Sequence, residues 1–138
     1  NVIIDDKGSI IPLFICVGGF LLNTEDKLMQ MVADAALEEQ AIDLVVLDVN
    51  EKTIIADYFV ICSGCNMVQI HSIAENVEKK LLEQGIPVLR RDGYQQGTWV
   101  VLDYGSTILH VFRQEERDYY KLENLWADAR KVAVQSQV

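Results

Sequence analysis

The fold of this chain is decided by residues 42–64, IDLVVLDVNEKTIIADYFVICSG. The first part, 42–49, is a short run rich in Val, Ile and Leu, which is typical of a β-strand buried on both faces. The polar residues 50–52 predict a turn, and the apolar run 57–62 predicts a second strand. Because such strands are not stable alone, the rest of the chain must supply elements that cover them.

The segments on either side of these strands have the periodicity of amphipathic helices. Before them, residues 23–40 begin with Asn-Thr-Glu-Asp, a good helix start, and then repeat apolar residues at helical spacing. After them, a long helix is predicted from Asn66 to a stop at Gly85, with Pro87 close behind. The apolar stripes are Leu28, Met31, Val32, Ala35 and Ala36 in the first helix, and Ile70, Ile73, Val77 and Leu81 in the second.

The last third of the chain predicts three more strands and a helix. A short strand is expected at 88–91, and residues 99–103 and 107–112 predict a hairpin around Tyr104-Gly105-Ser106. The final helix carries Leu122, Leu125, Trp126 and Ala129 on one face. This order of elements predicts the α/β class, with a mixed sheet of about five strands and flanking helices.

Length and composition indicate one globular domain. The chain has 138 residues, 50% of them hydrophobic and 24% charged, which is the balance of a folded protein. We assign the domain to residues 23–130, an N-terminal extension to 1–22 and a C-terminal tail to 131–138. The apolar run 10–22 is shorter than the roughly 20 residues of a membrane span and lacks a basic start. We expect it to form an extra strand or packed arm rather than a targeting segment.

Charge and cysteine content restrict the partner and the compartment. Asp and Glu number 21 against 12 Lys and Arg, which gives a net charge of −9. Nucleic-acid phosphates are therefore disfavoured as the main contact, and a basic protein surface is favoured. Three cysteines cannot form a disulfide framework, which indicates a reducing, cytoplasmic environment. We expect no membrane association.

Two local motifs could carry chemistry. Cys62-Ser63-Gly64-Cys65 is a C-x-x-C sequence between a strand and a helix, where a thiolate is stabilised in redox proteins. The Ser63-Gly64 pair could also begin a phosphate-binding loop of the nucleotidyltransferase kind. However, no aromatic residue directly precedes Cys62, no D-x-D carboxylate pair follows the loop, and His71 and His110 are not at zinc-ligand spacing. We expect no catalytic residue, metal or cofactor, with a nucleotidyltransferase-like or redox enzyme as the alternative.

Six segments, in this order, resemble the ribosomal silencing factor family, also called Iojap-like. They are IDLVVLD (42–48), ADYFVI (56–61), SIAENV (72–77), WVVLDYG (99–105), HVF (110–112) and YKLENLW (120–126). The resemblance covers residues 24–130 and implies a fold similar to a nucleotidyltransferase without its catalytic carboxylates. It also implies binding to the large ribosomal subunit through its protein fourteen, which blocks subunit joining and represses translation. A large-subunit assembly factor that uses the same surface is a further alternative.

The resemblance also implies which residues dock on the partner. They are Trp99, Asp103, Tyr104, Gly105 and His110 on the characteristic hairpin, extended by Asp57 and Tyr58. Trp99 is expected to be the apolar anchor, and Asp103 to pair with a Lys or Arg. Ser106 stands where family members often carry an acid, so one salt bridge is expected to be missing. Because exposed aromatic patches tend to be covered, we expect a homodimer when the protein is free.

Overall fold

The two strands predicted from residues 42–64 lie side by side in the middle of an eight-stranded mixed sheet. The computed structural model describes residues 2–5, 10–12, 24–51, 53–125 and 129–134. In chain order the elements are β1 (Val2–Asp5), β2 (Ile10–Pro12), α1 (Thr24–Glu38), β3 (Ile42–Asp48), β4 (Tyr58–Gly64), α2 (Met67–Glu83), β5 (Arg90–Asp92), β6 (Trp99–Asp103), β7 (Thr107–Arg113), α3 (Gln114–Tyr120), α4 (Leu122–Leu125) and β8 (Arg130–Val134). The strand order is β2-β1-β8-β3-β4-β7-β6-β5, in which β4 and β7 run parallel. The predicted α/β class is confirmed.

The chain termini account for the strands that were not predicted. The five predicted strands are β3 to β7, so a count of about five was too low by β1, β2 and β8. Both strands of the N-terminal segment belong to the sheet, with β1 pairing β2 on one side and β8 on the other. This agrees with the expected extra strand, while residues 13–22 of the apolar run lie outside the described residues.

The predicted final helix is shorter than expected. It ends at Tyr120, because Lys121 adopts a left-handed conformation with φ 49°, and a separate turn of helix covers Leu122–Leu125. Ala129, which was predicted on that helix, instead directly precedes β8. Residues 130–132 pair with β3 and residues 132–134 pair with β1, so residues 131–134 of the predicted C-terminal tail form a strand of the sheet. A strand here satisfies the backbone groups along the otherwise unpaired edge of β3.

The sheet is buried on both faces. On one face, which we call the helix face, α1 and α2 pack against Val46, Val60 and Leu109 and their neighbours. On the other, which we call the second face, Leu47, Phe59, Ile61, Ile108 and Phe112 form a separate cluster with Ala129. Alternate residues of each strand point to opposite faces, so each strand contributes to both clusters. Trp99 and Val101 of β6 also pack against this second cluster, so one side of the predicted hairpin lies on the second face.

Two polar side chains fix the helices relative to the strands. Gln69, in the first turn of α2, donates from Nε2 to the carbonyl oxygens of Glu39 at 3.2 Å and Gln40 at 3.0 Å, just after α1. Arg117 of α3 is buried, and it donates to the carbonyl oxygen of Ile42 at 3.3 Å and to Ser63 Oγ at 2.9 Å. Arg117 therefore joins α3 to both central strands.

Two glycines with the same backbone conformation differ in their surroundings. Gly93 (φ +75°) and Gly85 (φ +77°) both adopt the left-handed conformation. A Cβ on Gly93 would lie 2.1 Å from the carbonyl oxygen of Trp99, whereas a Cβ on Gly85 would have no described atom within 4 Å. We expect Gly85→Ala to lower the free energy of unfolding by about 1 kcal/mol. Gly93→Ala should cost about 3 kcal/mol, because the backbone must also shift. Urea unfolding of both variants measures the difference, and equal losses would contradict this account.

Candidate functional site

Trp99 is held on the second face by two ring contacts and one hydrogen bond. Its indole stacks on Phe112 with centroids 4.8 Å apart and contacts the ring of Tyr120 at 4.9 Å. The indole Nε1–H donates to Nδ1 of His110 over 3.1 Å. Trp99 pairs with Phe112 and Val101 pairs with His110, so Trp99 and His110 are diagonal neighbours on adjacent strands. The indole is thus fixed from behind while part of it remains exposed.

His110 is buried beneath Trp99. It is 8% exposed, and its ring makes an edge contact with Phe59 at 5.3 Å. Burial lowers the pKa of His110 from 6.5 to about 4, so the imidazole is neutral near pH 7. Because Nδ1 accepts from Trp99, the proton of the neutral ring resides on Nε2, which has no hydrogen-bond partner among the residues that the structure describes. The structure therefore places His110, an expected docking residue, beneath the surface and in hydrogen-bond contact with Trp99.

Two exposed tyrosines beside Trp99 were missed by the sequence analysis. Tyr119 is 80% exposed and Tyr120 is 52% exposed, and their rings meet edge to face at 5.0 Å. We call Trp99, Tyr119 and Tyr120 the aromatic patch. A signal was present in the sequence, because adjacent residues of a helix cannot both face its core. Two consecutive tyrosines at the end of the charged segment QEERDYY must leave at least one ring exposed.

A second group of predicted residues lies at the other end of β6, about 13 Å along the strand from Trp99. Asp103 Oδ1 accepts a hydrogen bond from the Gly105 amide at 2.7 Å, which closes the hairpin turn. The amides of Asp57 and Tyr58 both donate to the carbonyl oxygen of Ser106, at 2.8 and 3.0 Å. Asp57 precedes β4 and Asp103 ends β6. Because β7 lies between these two strands, the two residues are two strand spacings, or about 10 Å, apart. We call Asp57 and Asp103, together with Asp48 at the end of β3, the acidic end.

Apolar side chains stand next to the acidic end. The loop from β3 to β4 presents Ile54, which is fully exposed, and Ile55, which is 67% exposed. The loop is nevertheless held by hydrogen bonds, since Thr53 donates to the carbonyl oxygen of Val49 at 3.0 Å and Asn50 donates from its side chain to Asp57. The two isoleucines are therefore displayed by an ordered loop that adjoins two carboxylates.

Two predicted docking residues point to the helix face instead. Tyr104 is 6% exposed within the helix-face core, where burial raises the pKa of its hydroxyl. Tyr58 is half-buried and packs against the same core. The cause is strand alternation, because Tyr104 follows Asp103 and Tyr58 follows Asp57. For these two side chains the prediction is corrected: they support the hairpin and β4 from behind.

The two motifs that could have carried chemistry have packing roles. Burial raises the pKa of the Cys62 thiol from 9.0 to about 12, which disfavours a thiolate, and Cys65 is exposed. Ser63 is buried and its hydroxyl accepts from Arg117, so it does not face a phosphate. A Cβ on Gly64 would lie 2.7 Å from Cγ1 of Ile70, so this glycine permits close packing of β4 against α2.

The described residues contain neither a cluster of metal ligands nor a membrane-spanning helix. No three His, Cys, Asp or Glu side chains of the described chain are grouped so that they could hold a metal ion. Within the same residues, every helix is too short or too polar to cross a bilayer.

Residues 22–138 match the family described as "Ribosomal silencing factor during starvation". The chain belongs to this family. It is 37% identical over 115 residues to the ribosomal silencing factor RsfS of Halalkalibacterium halodurans, a match that covers 83% of this chain and 98% of the relative. It is 36% identical to RsfS of Bacillus subtilis, over 76% of this chain and 89% of the relative. The resemblance seen in the sequence is confirmed.

Solved structures and one organellar relative extend the comparison. A crystal structure from Chromobacterium violaceum superposes with a TM-score of 0.74 at 27% identity, covering 76% of this chain and 88% of that one. Another crystal structure, from Bacillus halodurans, has a TM-score of 0.67 at 38% identity, covering 72% of this chain and 93% of that one. The mouse protein named "Mitochondrial assembly of ribosomal large subunit protein 1" is 30% identical over 71% of this chain and 44% of its own length. The likeness to a nucleotidyltransferase stays a prediction.

The buried state of His110 predicts a pH dependence of stability. Its pKa is about 4 in the folded protein and about 6.5 when unfolded, so between these values the unfolded chain binds more protons. The free energy of unfolding should therefore decrease as pH falls through this window, by up to about 3 kcal/mol from His110 alone. Urea unfolding at pH 7, 5.5 and 4.5 should show a smaller decrease for His110→Leu than for the wild type. Parallel pH profiles would contradict the assignment.

Proposed function

We propose that this protein silences translation by binding the large ribosomal subunit through its protein fourteen and physically preventing the small subunit from joining. Family membership supports the ribosomal role, and the aromatic patch beside carboxylates on the same face of β6 is the observation that supports docking. Steric exclusion requires affinity and bulk but no reactive group. Steric exclusion is consistent with the packing roles of Cys62, Ser63 and Gly64. We propose that the protein is not an enzyme.

The aromatic patch has the properties of a binding hot spot. Trp and Tyr are the residue types most enriched among hot spots, and Tyr119 is 80% exposed in the free protein. The contacts of Trp99 with Phe112 and of Tyr120 with Trp99 hold the rings before a partner arrives. Such preorganisation reduces the entropy lost on binding. We also propose that a second copy covers this patch when the protein is free, which gives the expected homodimer.

The charge of the protein suits a basic partner. The net charge of −9 attracts the protein to a basic ribosomal protein over long range. Nearby ribosomal RNA repels copies of the protein that approach in the wrong position. At short range, Asp57 and Asp103 offer carboxylates about 10 Å apart, a spacing that lets each meet a different Lys or Arg. Ile54 and Ile55 add apolar area beside them. We therefore propose that the docking surface runs from the aromatic patch to the acidic end.

A role in large-subunit assembly is the second candidate. The name of the mouse relative favours it, because that protein is named for assembly of the mitochondrial large subunit. Both roles use the same docking surface but differ in the particle that is bound. Silencing requires binding to mature large subunits, whereas an assembly factor binds precursors. For either role, we propose that the protein acts on ribosomes in the cytoplasm.

Removal of the exposed rings should weaken binding strongly and leave the fold intact. For Tyr119→Ala combined with Tyr120→Ala, we expect the affinity for purified mature large subunits to fall about thirtyfold, because loss of a hot spot costs about 2 kcal/mol or more. Co-sedimentation in a sucrose gradient measures binding, and a light-scattering assay measures subunit joining in the same samples. The wild type should bind and inhibit joining, and the double variant should do neither.

The control for this experiment is Leu82→Ala. Leu82 is an equally apolar side chain, 63% exposed on α2, away from the proposed surface, and its loss should leave binding unchanged. If the wild type does not travel with mature subunits, silencing is excluded. Binding to precursor particles alone would favour the assembly role.

Asp103→Asn should slow association with little effect on the fold. The amide oxygen of Asn can still accept from the Gly105 amide, so only the charge is removed. We expect the association rate with large subunits to decrease severalfold at low salt, and the difference to shrink as salt screens the charge. The matched control is Asp92→Asn, which removes a charge from the exposed edge strand β5. Equal effects of the two substitutions would show that net charge, not Asp103, controls association.

A further inference from the structure

His110 and Trp99 form a hydrogen-bonded pair in which the buried partner holds the exposed one. The bond joins the indole Nε1–H to the imidazole Nδ1 over 3.1 Å, and His110 is 8% exposed whereas Trp99 is half-buried. From this geometry we propose that His110 is a positioning residue, which fixes the Trp99 indole so that the aromatic patch offers its partner an apolar surface without a free N–H group. The inference rests on the proposed docking function and refines the chemistry of that surface.

The state of the imidazole argues against a purely structural role. Its Nε2 is buried and has no hydrogen-bond partner within the described part of the chain, which costs free energy. A leucine or phenylalanine in the same cluster, beside Phe59 and Phe112, would avoid that cost. What an apolar residue cannot do is accept the indole proton. Without an acceptor beneath it, the half-exposed Trp99 would gain by turning its N–H toward water, and the ring would leave its present orientation.

The position of Trp99 controls the rest of the patch. Phe112 lies under the indole at 4.8 Å, and Tyr120 contacts the indole at 4.9 Å and Tyr119 at 5.0 Å. Rotation of Trp99 would therefore remove the contact that supports Tyr120. Because the indole donor is already used, the partner group at Trp99 should be aliphatic or cationic, such as the side-chain stem and head group of Lys or Arg, rather than a hydrogen-bond acceptor. This chemistry agrees with a basic protein surface.

Three substitutions of His110 separate positioning from packing. In His110→Asn, the side-chain oxygen can occupy the place of Nδ1 and accept the indole proton. In His110→Gln, the polar group reaches the place of Nε2 instead, and in His110→Leu there is no acceptor. The first measurement is the hydrogen exchange of the Trp99 indole N–H by NMR, with the signal assigned from a Trp99→Phe sample. The second is the affinity for purified large ribosomal subunits.

We expect the wild type and His110→Asn to keep a slowly exchanging indole proton and full affinity. His110→Leu and His110→Gln should exchange at least tenfold faster and bind about fivefold to tenfold more weakly, the range that loss of one neutral hydrogen bond allows. A packing role alone predicts the opposite ranking, with Leu nearest to the wild type. If His110→Leu does not fold, the Asn and Gln variants still give the comparison.

The two proposals fail in different ways. If the wild type does not bind large subunits, the proposed function is wrong, while indole exchange still tests the positioning of Trp99. If the wild type binds and the Leu and Gln variants bind as tightly despite faster indole exchange, then the positioning inference is wrong and the docking function stands. Slow exchange in all variants would also overturn the inference, because His110 would then not be the group that holds Trp99.

Discussion

The parallel pairing of β4 with β7 is the interaction on which the rest of the structure depends. It joins an antiparallel half, β2-β1-β8-β3-β4, to a second antiparallel half, β7-β6-β5. Its register sets Ile61 opposite His110 and Ser63 opposite Phe112. A slip of one residue would transfer every side chain of β7 to the other face, so His110 would enter the helix-face core. The buried runs of both strands make such a slip costly, and this holds the Trp99 site in place.

Arg117 links this central pairing to the exposed tyrosines. A buried guanidinium is costly unless its N–H groups are satisfied, and here the carbonyl oxygen of Ile42 and the hydroxyl of Ser63 accept from it. The same residue's carbonyl oxygen accepts from the Lys121 amide at 2.9 Å, where α3 ends in a left-handed residue. The end of α3, and with it Tyr119 and Tyr120, is thereby tied to β3 and β4. The aromatic patch is therefore connected by hydrogen bonds to the central strands of the sheet.

Local periodicity was enough to predict β3, β4, β6, β7, α1 and α2, because each carries its own buried pattern, whereas the exposed β5 followed from its place before the Asp92-Gly93 turn. It could not predict β1 and β8, whose short segments become strands only by pairing with each other and with β3. Nor does the sequence contain a signal for the left-handed Lys121, since lysine has no preference for that conformation. In the sequence, five of the seven predicted site residues lie on the β6–β7 hairpin and the other two lie at the start of β4. Alternation then divided them between two faces, which buried Tyr104 and turned the half-buried Tyr58 toward the helix face.

Unsatisfied polar groups are concentrated in the same hairpin. Among the described residues, four buried side-chain atoms lack hydrogen-bond partners, and three of them belong to Tyr104, Thr107 and His110. Each such group lowers stability by about 1 to 3 kcal/mol relative to a satisfied or apolar alternative. A segment chosen for stability alone would replace them with Phe, Val and Leu. Three of the four groups thus lie in the hairpin that also carries Trp99 and Asp103, so this hairpin departs furthest from what stability alone would favour.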